Sequence, residues 1–285
     1  MKKQNNFIVL VALVIAMGGF LMGFDASVIS GVVGFIEPEF QLTKIELGWS
    51  VASLSLAATV AMMFAGPLSD RFGRRVVLKY SALLYAFSAF LSAFAPTFIV
   101  LVIARMIGGI GVGISLILAP MYIAEISPPK LRGKMVSFNQ LNIVIGISVA
   151  FFTNYLIIHL ASSDATWVET LKIREYNWRW MLGLEFFPAI LYFILLQFVP
   201  QSPRWLIMKE RFDDALKIMK RLSDEETATK VVEEIKESIK ADTGPKEKSS
   251  FKDLLMPSMK LVMSIGIVVA VLQQITGINS VFFYA

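Results

Sequence analysis

Seven stretches of this chain stay apolar long enough to cross a bilayer, and short polar segments part them. They are residues 7–36, 47–68, 76–95, 98–123, 135–160, 181–199 and 261–285. About 20 apolar residues rising 1.5 Å each span a hydrocarbon core of about 30 Å, so each stretch predicts a membrane-crossing helix. Six are complete, and the seventh runs to the end of the sequence. The segment between the sixth and seventh is different material, polar and dense in charge. Ala215, Leu216, Ile218, Met219 and Leu222 keep helical spacing within it, as do Ala228, Val231, Val232, Ile235 and Ile239. Ser223 followed by Glu226 reads as a capping box between the two helices, and Gly244-Pro245 ends the second. The expected organisation is a transmembrane bundle over residues 1–200, an amphipathic helical linker over 201–258 and a further span over 259–285.

Charge sets the orientation. Placing the N-terminus and the second, fourth and sixth connections on one side gathers 22 of the 27 Lys and Arg there, so that side is expected to be cytoplasmic. Met1-Lys2-Lys3 before an apolar run imitates a signal peptide, but the run is too long for one and no small-residue cleavage site interrupts it. The composition is 56% hydrophobic and 17% charged with mean hydropathy +0.65, far from a soluble domain. The net charge of +5 is pooled in loops with no aromatic-interleaved basic surface, which argues against nucleic acid. The absence of cysteine removes disulfides, thiolate zinc sites and thiol nucleophiles together. No His/Asp/Glu metal spacing appears, no serine has a base beside it, and His159 stands alone at the end of a span. An intramembrane enzyme is therefore without support, and no metal or cofactor is expected.

Two charges lie inside spans. By helical rise Asp25 sits about 16 Å from the outer end of the first span, and Arg105 about 11 Å into the fourth. An isolated carboxylate at such depth costs on the order of 3 kcal/mol, so the two are expected to pair. One reading is a structural ion pair. The other is a proton site in which Asp25 gains and loses a proton while Arg105 tunes it. Beside Arg105, Gly109 and Gly113 form a small-xxx-small pair suited to close helix packing.

Three elements at the basic end carry mixed charge. Asp70-Arg71-Phe72-Gly73-Arg74-Arg75 makes a tight turn between the second and third spans. Pro120-Met121-Tyr122-Ile123-Ala124-Glu125 leads through Ser127-Pro128-Pro129 to Leu131-Arg132-Gly133, and Pro200-Gln201-Ser202-Pro203-Arg204-Trp205-Leu206 follows the sixth span. Positive-inside topology explains the bases but not Asp70 and Glu125 beside them. Acid–base pairs across helix ends, made in one conformation and broken in another, can hold a gate. The candidate gate residues are Asp70, Arg71, Gly73, Arg74, Glu125, Arg132 and Arg204.

Together with Gly23-Phe24-Asp25, the glycine run after Arg105, Trp178-Arg179-Trp180-Met181 and Gln273-Gln274-Ile275-Thr276-Gly277-Ile278-Asn279, these segments resemble the sugar porter branch of the major facilitator superfamily. The resemblance runs over residues 7–285 in order and spacing. It implies an all-α membrane protein of twelve spans in two six-helix halves, each half built of two inverted three-helix repeats, with substrate near the midplane. This chain would supply the first half, the helical linker and the start of a truncated second half. By the same resemblance, Gln140, Gln273, Gln274 and Asn279 would hold sugar hydroxyls, for which amides supply donors and acceptors without net charge. Asn142 and Asn154 fit the family pattern less well and read as helix-to-helix glue. Proton-coupled members resemble this chain in carrying an acid in the first span, whereas facilitative carriers have a neutral residue there. Two departures are visible: Phe283 stands where a tyrosine is usual, and Gln201 replaces the usual acid of the segment after the sixth span.

The leading expectation is import of a monosaccharide by proton symport through alternating access. The protein would be a multi-pass monomer of a bacterial inner membrane, with sugar, proton and lipid as its only partners. Alternatives are a facilitative uniporter of the same fold and a sugar sensor that does not transport. The seventh stretch stops without a polar boundary, which suggests a longer gene product.

Overall fold

A computed structural model describes residues 2–128, 131–222, 225–243 and 259–277. Twelve helices lie among them, and six transmembrane crossings result, by length and apolar composition. The first five crossings are α1 (Lys2–Glu39), α2 (Lys44–Phe72), α3 (Arg74–Ala93), α4 (Phe98–Ile126) and α5 (Arg132–Ala161). α1, α2 and α5 run past both ends of their apolar stretches and α4 past the C-terminal end of its own, whereas α3 starts two residues before its stretch and stops two residues short of its end. Thr43 caps α2 reciprocally with Glu46: the Glu46 amide donates to Thr43 Oγ1 at 3.3 Å, and the Thr43 amide donates to Glu46 Oε2 at 2.8 Å. Between α2 and α3 the whole turn is Gly73, at φ +92°, where a side chain would be strained and would also meet the Trp205 ring.

The sixth crossing corrects the continuous 181–199 run. It is two helices, α7 (Asn177–Gly183) and α8 (Phe186–Leu195), preceded by the short α6 (Thr166–Thr170). Pro188 explains the break, since it has no N–H to give the Leu184 carbonyl four residues earlier. Past the bundle come α9 (Pro203–Met208), capped by the Ser202 hydroxyl, then α10 (Phe212–Leu222) and α11 (Glu225–Thr243), where the apolar spacing predicts helices. The Ser223 half of the predicted capping box, Gly244-Pro245 and Phe283 lie outside the described residues. The seventh apolar stretch forms α12 (Lys260–Ile275), none of whose residues is buried.

The closest packed pairs are α1 with α5 and α2 with α4. Exchanging the first three crossings for the second three turns one pair into the other, the symmetry expected of two three-helix repeats. Close approach explains both. A Cβ on Gly109 would run into the Leu54 carbonyl oxygen and one on Gly113 into that of Ala58, so only glycine lets α4 lie on α2. Gly23 and Gly146 play the same part between α1 and α5. Asn154 donates to the Val28 carbonyl at 3.0 Å and ties α5 to α1 as expected, whereas Asn142 bonds only the Phe138 carbonyl of its own helix. His159 stacks on Tyr155.

The apolar core falls into two clusters. One holds Ile8 to Leu21 of α1 and Val112 to Ile126 of α4, and the other holds Phe24 to Ile36 of α1 with Leu101, Trp178 and Met181. Between them lies a polar seam.

Candidate functional site

The seam is built from three helices far apart in sequence. Arg105 Nη1 donates to Asp25 Oδ1 in an ion pair and to the Asp25 backbone carbonyl at 3.1 Å. The two residues are 1% and 2% exposed. The expected pairing is therefore present, and it is sealed from solvent. Gly108, one turn past Arg105, makes room for it, because a Cβ there would meet Asp25 Oδ2 at 2.8 Å and Ser88 Oγ at 2.6 Å.

A third charge, unforeseen from the sequence, completes the seam. Glu185 sits at the α7–α8 break, is 2% exposed, and lies within electrostatic reach of both Asp25 and Arg105. The sequence does carry its signal: an acid four residues into an apolar run obeys the rule that singles out Asp25. One guanidinium thus lies within electrostatic reach of two carboxyl groups, of which Asp25 bonds it. Asp25 Oδ2, Arg105 Nε and Nη2 and Glu185 Oε1 are buried with no hydrogen-bond partner among the described residues. Two ionised carboxylates against one cation leave a net negative charge in a low-dielectric interior, and a proton on either one removes it. Chemically the arrangement can hold and release one proton.

A second charged site lies at the basic end of the bundle. Arg74, 4% exposed, is held on all sides: Nη1 meets Asp70 Oδ1 at 2.9 Å, Nη2 meets Glu125 Oε1 at 3.1 Å, and Nη1 donates to the Ser69 carbonyl at 3.2 Å. Ser202, the cap of α9, donates to Glu125 Oε2 at 2.5 Å and so ties the segment after the sixth crossing into the cluster. Trp205 Nε1 donates to the Asp70 carbonyl at 3.1 Å. Arg75 donates to the carbonyls of Leu196 and Gln197 at 3.0 and 2.5 Å, which satisfies the end of α8. A cavity of about 500 Å³ opens here, lined by Asp70, Arg74, Glu125, Arg132 and Arg204 among others.

Of the seven expected gate residues, Asp70, Arg74 and Glu125 bond directly and Gly73 makes their turn. Arg71 stands apart, its guanidinium 5.2 Å from the Phe72 ring centre. Arg132 and Arg204 are exposed at the cavity, with no ion pair among the described residues. Gln201 turns a buried Oε1 inward without a partner, where the family pattern has an acid. The amides expected at a sugar site are not gathered into a closed pocket. Gln140 is exposed on α5, Gln273 and Gln274 are exposed on α12, and Asn279 lies outside the described residues. A further cluster unforeseen from the sequence ties α1 to α7 at the opposite end, where Arg179 Nη2 and Trp178 Nε1 donate to the Glu39 carboxylate at 3.0 and 2.5 Å.

Comparison with known proteins agrees with this architecture. Residues 11–285 match the family model described as sugar (and other) transporter. An arabinose-proton symporter of Bacillus subtilis is 36% identical over 98% of this chain and 58% of its own length. A D-xylose-proton symporter of Escherichia coli is 36% identical over 99% of this chain and 60% of its own. A solved proton:xylose symporter of the major facilitator superfamily, bound to 6-bromo-6-deoxy-D-glucose, superposes with a TM-score of 0.83 at 36% identity, covering 99% of this chain and 62% of that one. The chain thus spans about three fifths of the length of the curated relatives it matches. Motifs, helix order and likeness meet in one assignment: this chain belongs to the sugar transporter family, the sugar porter branch of the major facilitator superfamily.

Proposed function

We propose that this chain is the N-terminal half and linker of a secondary transporter that imports a monosaccharide together with a proton. The observation that carries the reading is the sealed Asp25–Arg105 ion pair, with a second buried carboxyl group, Glu185, within its electrostatic reach. A facilitator has no use for such a costly group. A symporter needs one that is neutral in one half of its cycle and charged in the other. The curated relatives named above as proton symporters support the same reading.

In the proposed cycle Asp25 carries the proton, and Arg105 stabilises the carboxylate left when it departs. Glu185 keeps the site one charge short of balance, which favours uptake. Sugar binds on the exposed face of the bundle through Gln140, with Gln273, Gln274 and Asn279 approaching from the start of the second half. Asp70, Arg74 and Glu125, at the cytoplasmic side, latch the helix ends while the transporter faces outward. Arg132 and Arg204 wait there for acidic partners across the gate. Residues 1–200 act as one bundle, 201–258 as its linker and 259–285 as the first span of the second half.

The test is uptake into sealed vesicles by the gene product, with any residues encoded past Ala285 included. Sugar accumulates against its gradient when the outside is acid, and Asp25→Asn exchanges sugar without accumulating it. Uptake that ignores the pH gradient makes the protein a uniporter, and sugar binding with no uptake makes it a sensor.

A further inference from the structure

Ser81, Tyr85, Ser88 and Ser92 recur along α3 at spacings of three and four, which places them on one helical face. All four are buried. A polar stripe turned away from both lipid and water requires another explanation than solubility. Opposite it, α4 presents Gly108, Gly111 and Ser115, small residues that let the polar groups of α3 and α1 close up against α4.

The stripe starts at the carboxyl site, where Asp25 Oδ2 and Ser88 Oγ share the space a Cβ on Gly108 would fill. One turn toward the basic end, the buried Tyr85 hydroxyl lies toward Ser115 with no partner at full hydrogen-bond geometry among the described residues. One turn further, Ser81 Oγ and Ser115 Oγ lie 2.7 Å apart, and Ser81 also donates to the Gly111 carbonyl at 3.0 Å. Tyr192 joins them from α8: a Cβ on Gly18 would stand 2.9 Å from its hydroxyl and 3.2 Å from Ser115 Oγ, and that hydroxyl donates to the Ile15 carbonyl at 3.3 Å. Seven residues past Ser115 on α4, Tyr122 donates to the Pro200 carbonyl, and three residues later comes Glu125 of the basic-end cluster. Between Arg105 and Tyr122, α4 rises about 26 Å. Polar groups therefore mark the interior from Arg105 to Ser115 and Tyr192, and Tyr122 stands about 10 Å beyond them across the apolar residues Leu118 and Ala119.

Five buried polar atoms at the upper part of this stripe make no full hydrogen bond among the described residues: Asp25 Oδ2, Arg105 Nε and Nη2, Glu185 Oε1 and the Tyr85 hydroxyl. Buried polar groups without protein partners are satisfied by ordered water where the site is polar and roomy enough. We infer that water fills this seam and that the coupling proton leaves the Asp25–Glu185 carboxyls along it, past Tyr85, Ser115 and Tyr122, inside the six-helix bundle and apart from the sugar cavity. This inference rests on the symport reading. In the transfer, the carboxyl O–H bond breaks as a water O–H bond forms. That water passes one of its own protons to the Tyr85 oxygen, and the Tyr85 O–H bond breaks toward the next water beside Ser115. Each relay oxygen gains one proton and loses one, so the phenol never ionises. The last proton enters bulk water at the cavity by Glu125, and the carboxylate left behind pairs with Arg105.

The test uses the gene product with any residues encoded past Ala285, reconstituted in liposomes containing a pH-sensitive dye, and two assays. Sugar-driven proton movement reads the relay. Sugar counterflow at equal pH needs no net proton transfer and reads folding, sugar binding and the conformational cycle. Tyr85→Phe keeps the ring and removes one oxygen. It is expected to slow proton movement at least tenfold while counterflow stays within twofold. Ser115→Ala is expected to show the same split at a several-fold level, and it carries the test alone should Tyr85→Phe fail to reach the membrane. Proton movement at the wild-type rate in the variants places the route in the sugar cavity and overturns the inference, as does an equal loss in both assays. Wild-type protein that moves sugar but no proton refutes symport itself, a different result from wild type that couples and variants that couple equally well.

Discussion

Twice this chain sets arginine against carboxylate, and the two sites are built on opposite terms. At the basic end, Arg74 is buried but its guanidinium is met by Glu125, Asp70 and the Ser69 carbonyl, and the Asp70 side chain is 52% exposed. In the seam, Arg105 has one nitrogen bonded and two without partners, and the nearby carboxyl groups outnumber it. A satisfied network at a helix end draws its stability from completed bonds. An under-satisfied charge in the interior costs free energy, and a structure retains it where the imbalance is useful. The same residue types are thus completed by partners at one depth and left short of them at another, and in the proposed cycle the first is the latch and the second the titrating site.

The largest effect that would break this contrast is at Asp25. Asp25→Asn is expected to abolish proton-driven accumulation, and removing a buried partner costs on the order of 3–5 kcal/mol unless another acid replaces it. Glu185 is that other acid. The double variant Asp25→Asn with Glu185→Gln is therefore expected to lose more stability in thermal melts than the two single losses added together, by roughly 0.5–3 kcal/mol, because only then is Arg105 left alone. Strict additivity would show that Glu185 does not serve this site. Glu185→Gln alone keeps the Asp25–Arg105 bond and is expected to alter the pH profile of uptake more than its maximal rate.

At the basic end, Glu125→Gln is expected to cost about 1–3 kcal/mol and to favour the inward-facing state, since Arg74 and Ser202 both lose an ionic acceptor. Its pH profile is expected to follow the wild type, and a displaced profile would erase the distinction between latch and titrating site. Salt sharpens the contrast further. Raising ionic strength from about 0.15 to about 1 M shortens the screening length from about 8 to about 3 Å. That is expected to loosen the half-exposed Asp70–Arg74 pair, read as faster labelling of a single cysteine introduced at Ser69 into this cysteine-free chain. Labelling beside Asp25 is expected to stay unchanged. The smallest effect lies outside the membrane, where the hydrogen bond and charge of Lys220, 2.5 Å away, hold the Glu225 carboxyl below the usual glutamate range. A depressed folded value means the pair contributes above the unfolded pKa and its contribution is lost as pH falls through the folded one. Because the pair is exposed, Lys220→Ala is expected to return Glu225 toward its ordinary titration by NMR while leaving the melting temperature nearly unchanged.

Much of this architecture is legible in the residues alone. Depth along the helix is enough to match Asp25 with Arg105, and spacing is enough to pick out Gly109 and Gly113, because lipid penalises a bare charge or an unpacked helix wherever it stands. What escapes the sequence is equally particular. Glu185 is hidden by averaging over an apolar run, although the rule that finds Asp25 covers it. Hydropathy over 181–199 predicts one helix, and Pro188 within that run divides it. The position of Asn142 suggests interhelical glue, yet it bonds its own helix, a choice set by which way its side chain turns.

By itself the sequence determined the six crossings, the amphipathic linker helices and the depth of Asp25 and Arg105 along their helices. Those depend on hydropathy, helical period and rise along one segment, which are local properties. Only the tertiary structure decided which polar groups meet. Asp25 and Arg105 are 80 residues apart and Arg74 and Glu125 51 apart, and what joins them is the packing of α4 against α1 and against α3. The unpartnered atoms of the seam are likewise a property of assembled neighbours, since an oxygen is satisfied or not only by what other helices bring to it.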